Sequence, residues 1–284
     1  MCVMKPVWIV LVNWNGWRDT FNCLTSLETL DYQSFQTLVV DNGSTDDSVA
    51  RIRRAFPNVT IIEAGKNVGF AAGCNLGIKY ALREGAEYVW LLNNDTTVES
   101  GALSALVERA EADPSVGAVG SAIYYASEPE RLQAWGGGRV DFWLGRVHHF
   151  LRPVDATRIE YLSGASMLLR RSALESIGLL DEAFFMYWED ADYCFRLRRA
   201  GWRLDVAAQA KVWHNEQGSV GKKSILLDVY FNRSAARFFE KHAPFPIFSF
   251  RIGATLRVLK RVILGRWNNV HAVWSAARGG VTWK

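Results

Sequence analysis

Glu189, Asp190 and Asp192 place three carboxylates within four residues, flanked by Phe184, Phe185, Tyr187, Trp188 and Tyr193. Acidic side chains in so aromatic a setting are hard to explain by solvation, and a general base beside a reacting hydroxyl would account for them. The alternative is a helix start, where the N-terminal dipole stabilises Asp190 and Asp192. Asn93-Asn94-Asp95 follows the apolar run Tyr88-Val89-Trp90-Leu91-Leu92, which would hold Asp95 at a strand mouth. Magnesium and manganese accept one or two carboxylates plus phosphate oxygens, so Asp95 beside a diphosphate is sufficient chemistry. A plain strand-end turn would read the same way. His214 ends another apolar stretch, Lys211-Val212-Trp213, and could offer a neutral imidazole to the same metal or serve a structural role.

Two further clusters suit a nucleotide. Asp41-Asn42-Gly43-Ser44-Thr45-Asp46 lies where a strand gives way to a helix, and Asp41 could accept the imide N–H of uracil or thymine. The competing reading is a turn in which Ser44 or Thr45 caps the next helix. Asn67-Val68-Gly69-Phe70-Ala71-Ala72-Gly73-Cys74-Asn75 is glycine-spaced at a loop-to-helix junction, where backbone N–H groups could face a diphosphate or ribose. Close helix packing explains Gly73 and Gly77 equally well.

These clusters need elements to position them. Apolar runs predict strands over 7–13, 36–41, 59–63, 88–93 and 117–123, separated by helix-period segments over 17–30, 46–55, 71–83 and 100–112. That alternation implies an α/β fold with a largely parallel sheet and helices on both faces. In such a sheet the ligand crevice lies beyond the strands' carboxyl ends, so Asn13-Trp14-Asn15-Gly16, the Asp41 cluster and the Asp95 cluster should line one pocket. Residues 135–146 suggest an irregular hairpin, 166–169 a strand, and 190–200 a helix stopped by Gly201. The expected domains are a nucleotide-binding half over 1–123, an acceptor half over 124–221 and a helical extension over 222–284.

With 49% hydrophobic and 22% charged residues, the 284-residue chain is expected to fold throughout most of its length. From Lys222 onward there are 12 basic and 2 acidic residues, so the net +4 conceals an acidic body and a basic extension. That asymmetry argues against general nucleic-acid binding and for a local contact with anions. Cys2, Cys23, Cys74 and Cys194 form no metal-spaced pair, which suggests reduced thiols in a cytoplasm. The apolar run 7–12 is too short for a signal-peptide core, so no export is implied. In the extension, Phe245, Ile247, Phe248, Leu259, Ile263 and Trp267 are interrupted by Arg251, Arg257, Lys260, Arg261 and Arg266, so no span forms. The expectation is two or three amphipathic helices whose 245–267 segment contacts a membrane surface peripherally, with packing on the body or on a homodimer partner as the alternative.

Taken in order, Asn13-Trp14-Asn15-Gly16, Val40-Asp41-Asn42-Gly43-Ser44-Thr45-Asp46, Asn67-Val68-Gly69-Phe70-Ala71, Leu92-Asn93-Asn94-Asp95, Glu189-Asp190-Ala191-Asp192 and His214 resemble the family-2 inverting glycosyltransferases of the GT-A fold. The chain is most similar to the bacterial rhamnosyltransferase branch, which carries the Asn-Asn-Asp metal motif and a segment like that at 189–196. Asn93 stands where the family usually has aspartate, leaving Asp95 as ligand. The resemblance implies that Asp41 holds the pyrimidine, with Asn13, Asn15, Asn67 and Gly69 in the donor-nucleotide site and Asn93 and Asn94 on the ribose side. It further implies that Asp95 and His214 hold Mg2+ or Mn2+ on the diphosphate and that Asp190 is the base. Trp135, Gly136, Gly164, Trp188 and Glu189 would lie near the acceptor or the donor sugar. The implied reaction moves L-rhamnose from dTDP-rhamnose, with inversion, onto a hydroxyl of a lipid- or glycan-linked acceptor in bacterial cell-surface polysaccharide synthesis. A UDP-hexose donor remains open, because Asp41 alone does not separate uracil from thymine. A sugar-nucleotide pyrophosphorylase would need a glycine-rich basic loop that residues 13–18 lack, and a non-catalytic sugar-binding protein sits poorly with intact Asp95, Asp190 and His214.

Overall fold

A computed structural model of the chain describes residues 4–215 and 225–278; Cys2 and the expected boundary at 221/222 lie outside them. In chain order the elements are β1 (Val7–Asn13), α1 (Trp17–Leu27), β2 (Phe35–Asp41), α2 (Ser48–Ala55), β3 (Thr60–Glu63), α3 (Phe70–Arg83), β4 (Tyr88–Leu92), β5 (Thr96–Val98), α4 (Ala102–Glu111) and β6 (Val116–Tyr125). There follow β7 (Glu128–Trp135), β8 (Gly137–Asp141), β9 (Arg146–His149), β10 (Tyr161–Leu162), β11 (Ser166–Arg170), α5 (Arg171–Ile177), α6 (Glu189–Arg199) and β12 (Arg203–His214). Three helices close the described chain: α7 (Ile225–His242), α8 (Pro246–Ile263) and α9 (Trp267–Arg278).

The central sheet runs β3-β2-β1-β4-β11-β6-β12-β5, with β7 paired to β6, and β8, β9 and β10 form a small second sheet. Strands β3, β2, β1 and β4 are parallel, as the alternation of elements predicts. β11 breaks the pattern by running antiparallel to both β4 and β6. It enters the sheet from the ligand side, where the Asn93 amide donates to the Ala165 carbonyl at 3.0 Å. The reversal therefore brings Gly164 beside the end of β4.

Strand β1 is buried along its whole length because both faces of the sheet are covered. Trp8, Val10 and Val12 pack on the side of α3 and α6, while Val7, Ile9 and Leu11 pack on the side of α1 and α4. Gly77 on α3 lets that helix approach β1: a Cβ there would meet Val10 Cγ1 at 2.3 Å. The close-packing reading of Gly77 is the correct one.

Helix α7 is part of the body. Its Ala235, Phe238 and Phe239 are fully buried in the same core as Trp188 and Phe184. α8 lies outside it with two unlike faces. Ser249, Gly253 and Ala254 face inward, while Phe248, Leu256, Leu259 and Ile263 point outward, Ile263 at 82% exposure. Arg257 and Arg261 belong to the inner side, donating to Asn232 Oδ1 at 2.7 Å and Asp228 Oδ1 at 2.5 Å. Two of the five interrupting basic residues are thus structural rather than solvated. No helix among the described residues is long and apolar enough to cross a membrane.

Candidate active site

A cavity of about 710 Å3 opens at the carboxyl ends of β1, β2 and β4, where an open α/β sheet is expected to bind. Asn67, Asn93, Asn94, Asp95, Gly164, Trp188, Glu189, Asp190 and His214 all line it, bringing together residues up to 147 positions apart.

The β5–β12 pairing sets the first part of the site. Thr96 and His214 are register partners, so Asp95, one residue before β5, falls beside the imidazole. His214 Nδ1 lies 3.0 Å from Gln133 Oε1, and its Nε2 lies 3.3 Å from Asn93 Nδ2 and 3.2 Å from Asp95 Oδ1. Asp95 Oδ1 and Asn93 Oδ1 are both buried without a hydrogen-bond partner among the described residues. A carboxylate oxygen without a hydrogen-bond partner beside an imidazole nitrogen has the chemistry that suits a divalent cation. Among the described residues no group of three or more His, Cys, Asp or Glu is placed to hold a metal ion; Asp95 and His214 form a two-residue pair at the cavity wall.

The second part begins at a strained turn. Tyr187 and Trp188 both take left-handed backbone angles, φ 70° and 69°, immediately before α6. Such angles are costly for bulky residues and persist only when the surroundings impose them. Here α7 imposes them: the Trp188 ring packs on Phe231, Phe238 and Phe239. The turn aims Asp190 into the cavity, where Oδ2 accepts the Gly164 N–H at 2.8 Å and Oδ1 accepts the Ala191 N–H at 2.7 Å. Burial raises the Asp190 carboxyl above the usual carboxylate range, and those two N–H groups pull it partly back. Glu189 lines the same cavity at 5% exposure, and burial together with the Asp190 charge drives it well above the ordinary range. The two carboxyls are thus neighbours that both resist ionisation, and their titrations are linked.

Asp192 has a different function. It is completely buried, and its oxygens meet Lys241 Nζ at 2.6 Å, His242 Nε2 at 2.8 Å and Arg196 Nε at 2.9 Å. Despite burial, these partners lower it to about 2, so the third carboxylate of the cluster rivets α6 to α7.

On the nucleotide side the structure departs from several expectations. Asp41 is only 4% exposed and does not line the cavity; Oδ1 accepts from Asn13 Nδ2 and Oδ2 from the Ser44 amide, both at 2.9 Å. Asn13 is fully buried as a hub, accepting from Thr20 Oγ1 at 2.9 Å. Asn15, at φ 52°, accepts the Thr45 amide at 2.8 Å and so ties two loops together. Neither Ser44 nor Thr45 caps α2, because Ser44 Oγ instead receives the Asn15 amide at 2.9 Å. The amides at 68–70 do not face a phosphate. Val68 N–H goes to Asn42 Oδ1, Gly69 N–H to Asn67 Oδ1, and Phe70 N–H to the Phe185 carbonyl at 2.6 Å. At φ 90°, Gly69 is needed for closeness, since a Cβ would sit 2.6 Å from the Phe185 carbonyl oxygen. Trp135 and Gly136 also lie off the cavity wall, where β7 presents Gln133 and Ala134. Gly136 instead packs against Val206 and Leu162. From the clusters at 13–16 and 41–46 it is Trp14 and Asn42 that line the cavity, joined by His149, Tyr161 and Ser163, which the sequence motifs do not point to.

Residues 8–178 match the family model described as Glycosyl transferase family 2. The chain is also 31% identical over 242 residues to N-acetylglucosaminyl-diphospho-decaprenol L-rhamnosyltransferase of Mycobacterium tuberculosis, covering 75% of this chain and 77% of that protein. The chain belongs to glycosyl transferase family 2. A second relative in the family, dTDP-rhamnosyl transferase RfbF of Shigella flexneri, is 22% identical over 222 residues, covering 77% of this chain and 71% of its own. Among solved structures, GalNAc-T7 with UDP, GalNAc and Mn2+ superposes with a TM-score of 0.70 at 15% identity, over 87% of this chain and 50% of its own. The mannosyltransferase PcManGT from Pyrobaculum calidifontis, in complex with GDP-Man and Mn2+, gives 0.60 at 17% identity, over 99% and 77%. Both share the GT-A fold that the strand order produces. The family match ends at residue 178, before α6, so the Asp190 half of this transferase's cavity is built by chain beyond it.

Proposed function

We propose that this glycosyltransferase moves L-rhamnose from dTDP-rhamnose, with inversion, onto a hydroxyl of a lipid-linked acceptor. The observation that carries this reading is that Asp190 lines the same cavity as the Asp95–His214 pair. One carboxylate is poised to take a proton, and the other two groups suit a cation. The names of the mycobacterial and Shigella relatives support rhamnose as the sugar and a diphospholipid as the carrier.

Asp190 accepts the proton of the acceptor hydroxyl as its oxygen attacks the anomeric carbon, while the Gly164 amide keeps the carboxylate oriented. Burial and the Asp190 charge raise Glu189, which opposes a second negative charge beside Asp190. Asp95 and His214 would hold Mg2+ or Mn2+, which when bound neutralises charge on the departing diphosphate. A single displacement of this kind turns a β-linked donor into an α-L-rhamnoside. Asn67 and Asn94 face the nucleotide, and Asp41, behind the wall, fixes Asn13 and the Ser44 loop beneath it.

The outward face of α8 meets the cytoplasmic leaflet as a peripheral contact. Phe248, Leu256, Leu259 and Ile263 form its apolar stripe, and exposed Arg251 and Lys260 complement anionic headgroups. The deciding experiment incubates the purified chain with Mn2+, a prenyl-diphosphate-linked N-acetylglucosamine and either dTDP-rhamnose or UDP-hexoses. Consumption of a UDP-hexose in preference to dTDP-rhamnose would replace the donor assignment.

A further inference from the structure

Arg266 stands in the turn between α8 and α9 and lines the cavity together with Leu227 and Phe231 of α7. Among the described residues of that lining it is the sole lysine or arginine, in a cavity whose carboxylates are Asp95, Glu189 and Asp190. Its guanidinium has no hydrogen bond or ion pair within the described residues. The nearby helical acid, Asp228, is already taken by Arg261 at 2.5 Å and 3.2 Å and by Asn269 Nδ2 at 2.8 Å. The fold therefore does not use the Arg266 charge. The next residue, Trp267, opens α9 and is 66% exposed.

A half-buried, unpaired guanidinium beside an acidic cavity is matched by a phosphate, which it can grip through two parallel hydrogen bonds. Two diphosphates could reach it, one on the donor and one on the acceptor. The donor diphosphate belongs with Asp95 and His214, carried by the ends of β4 and β12. Arg266 sits instead on the helices that present apolar side chains outward. We propose that Arg266 binds the diphosphate of a lipid-diphosphate acceptor whose hydrocarbon runs along Trp267 and the outer face of α8. The proposal rests on the glycosyl-transfer reading above and adds the acceptor's anchoring group to it.

The test uses the full chain, with farnesyl diphosphate, farnesol and dTDP plus Mn2+ as separate calorimetric probes. Arg266→Gln is expected to weaken farnesyl diphosphate about tenfold or more, as loss of a charge-assisted contact does, and to leave farnesol and dTDP unchanged. Arg266→Lys should recover part of the loss. In the unaltered chain, inorganic pyrophosphate should compete with farnesyl diphosphate, a readout that depends on no variant. Equal weakening of dTDP would place Arg266 in the donor site, and unchanged farnesyl diphosphate binding would overturn the proposal. If no nucleotide sugar is consumed while prenyl-diphosphate binding still depends on Arg266, the functional reading fails and this one stands.

Discussion

The Gly164 amide donates to Asp190 Oδ2 at 2.8 Å, a contact between the start of an antiparallel strand and the first turn of a helix 26 residues later. It fixes the carboxylate without neutralising it, which is what a base needs. Asp190→Asn keeps the shape and removes the proton acceptor. Transfer should fall on the order of 100-fold or more while the donor dissociation constant holds. A parallel loss of donor affinity would assign Asp190 to the donor site.

The acid limb of the pH–rate profile follows from the same residue. Burial raises Asp190, and the base works only when ionised, so kcat/KM should fall with decreasing pH at a midpoint above the ordinary carboxylate value near 4. An acid limb at or below that value would exclude Asp190 as the titrating group.

Chelation should abolish transfer, with Mg2+ or Mn2+ restoring it. Asp95→Ala should resemble the chelated enzyme, and His214→Ala should be milder, because imidazole is a poorer ligand than carboxylate for a hard cation. Full activity in excess chelator would remove both from a metal site.

Asp192 gives a stability test separate from chemistry. Its folded value of about 2 lies below the unfolded one near 3.9, so its contribution is complete above about pH 4 and disappears as pH falls toward 2. That contribution is on the order of 2 kcal/mol. Asp192→Asn should therefore melt well below the parent at pH 7, and the gap should narrow between about pH 4 and pH 2. A gap that stayed constant across that interval would mean packing rather than charge explains it.

The α8 face can be probed without truncation. Phe248→Glu and Leu259→Glu alter exposed positions and should leave melting behaviour intact. In co-sedimentation they should release the chain from anionic vesicles, and high salt should weaken binding of the parent. Binding that ignores lipid charge and both substitutions would point to an interface between protein surfaces.

Much of this was legible in the chain. The limits of β1, α1's start and α3's end emerge because buried parallel strands read as continuous apolar runs and helices repeat at 3.6 residues. β7, with sequence Glu128-Pro129-Glu130-Arg131, is polar and edge-like and carries no such signal, yet it delivers Gln133 to His214. Nor does spacing separate Asp190 from Asp192. Which of them faces the cavity depends on Lys241 and His242, 49 and 50 residues away, claiming Asp192. Asp41 shows the reverse limit: its motif is plain, but only the fold reveals that Asn13 and Ser44 already occupy its oxygens.

The left-handed turn at Tyr187 and Trp188 makes α7 something other than a tail. Because Phe231, Phe238 and Phe239 pack on that turn, the Asp190 carboxylate is aimed by a helix lying wholly beyond residue 178, where the family match ends. Exchanging C-terminal helices between relatives would then not be a neutral swap. Each exchange would reset the sighting of Asp190, so α7 and the cavity are constrained to evolve as one unit.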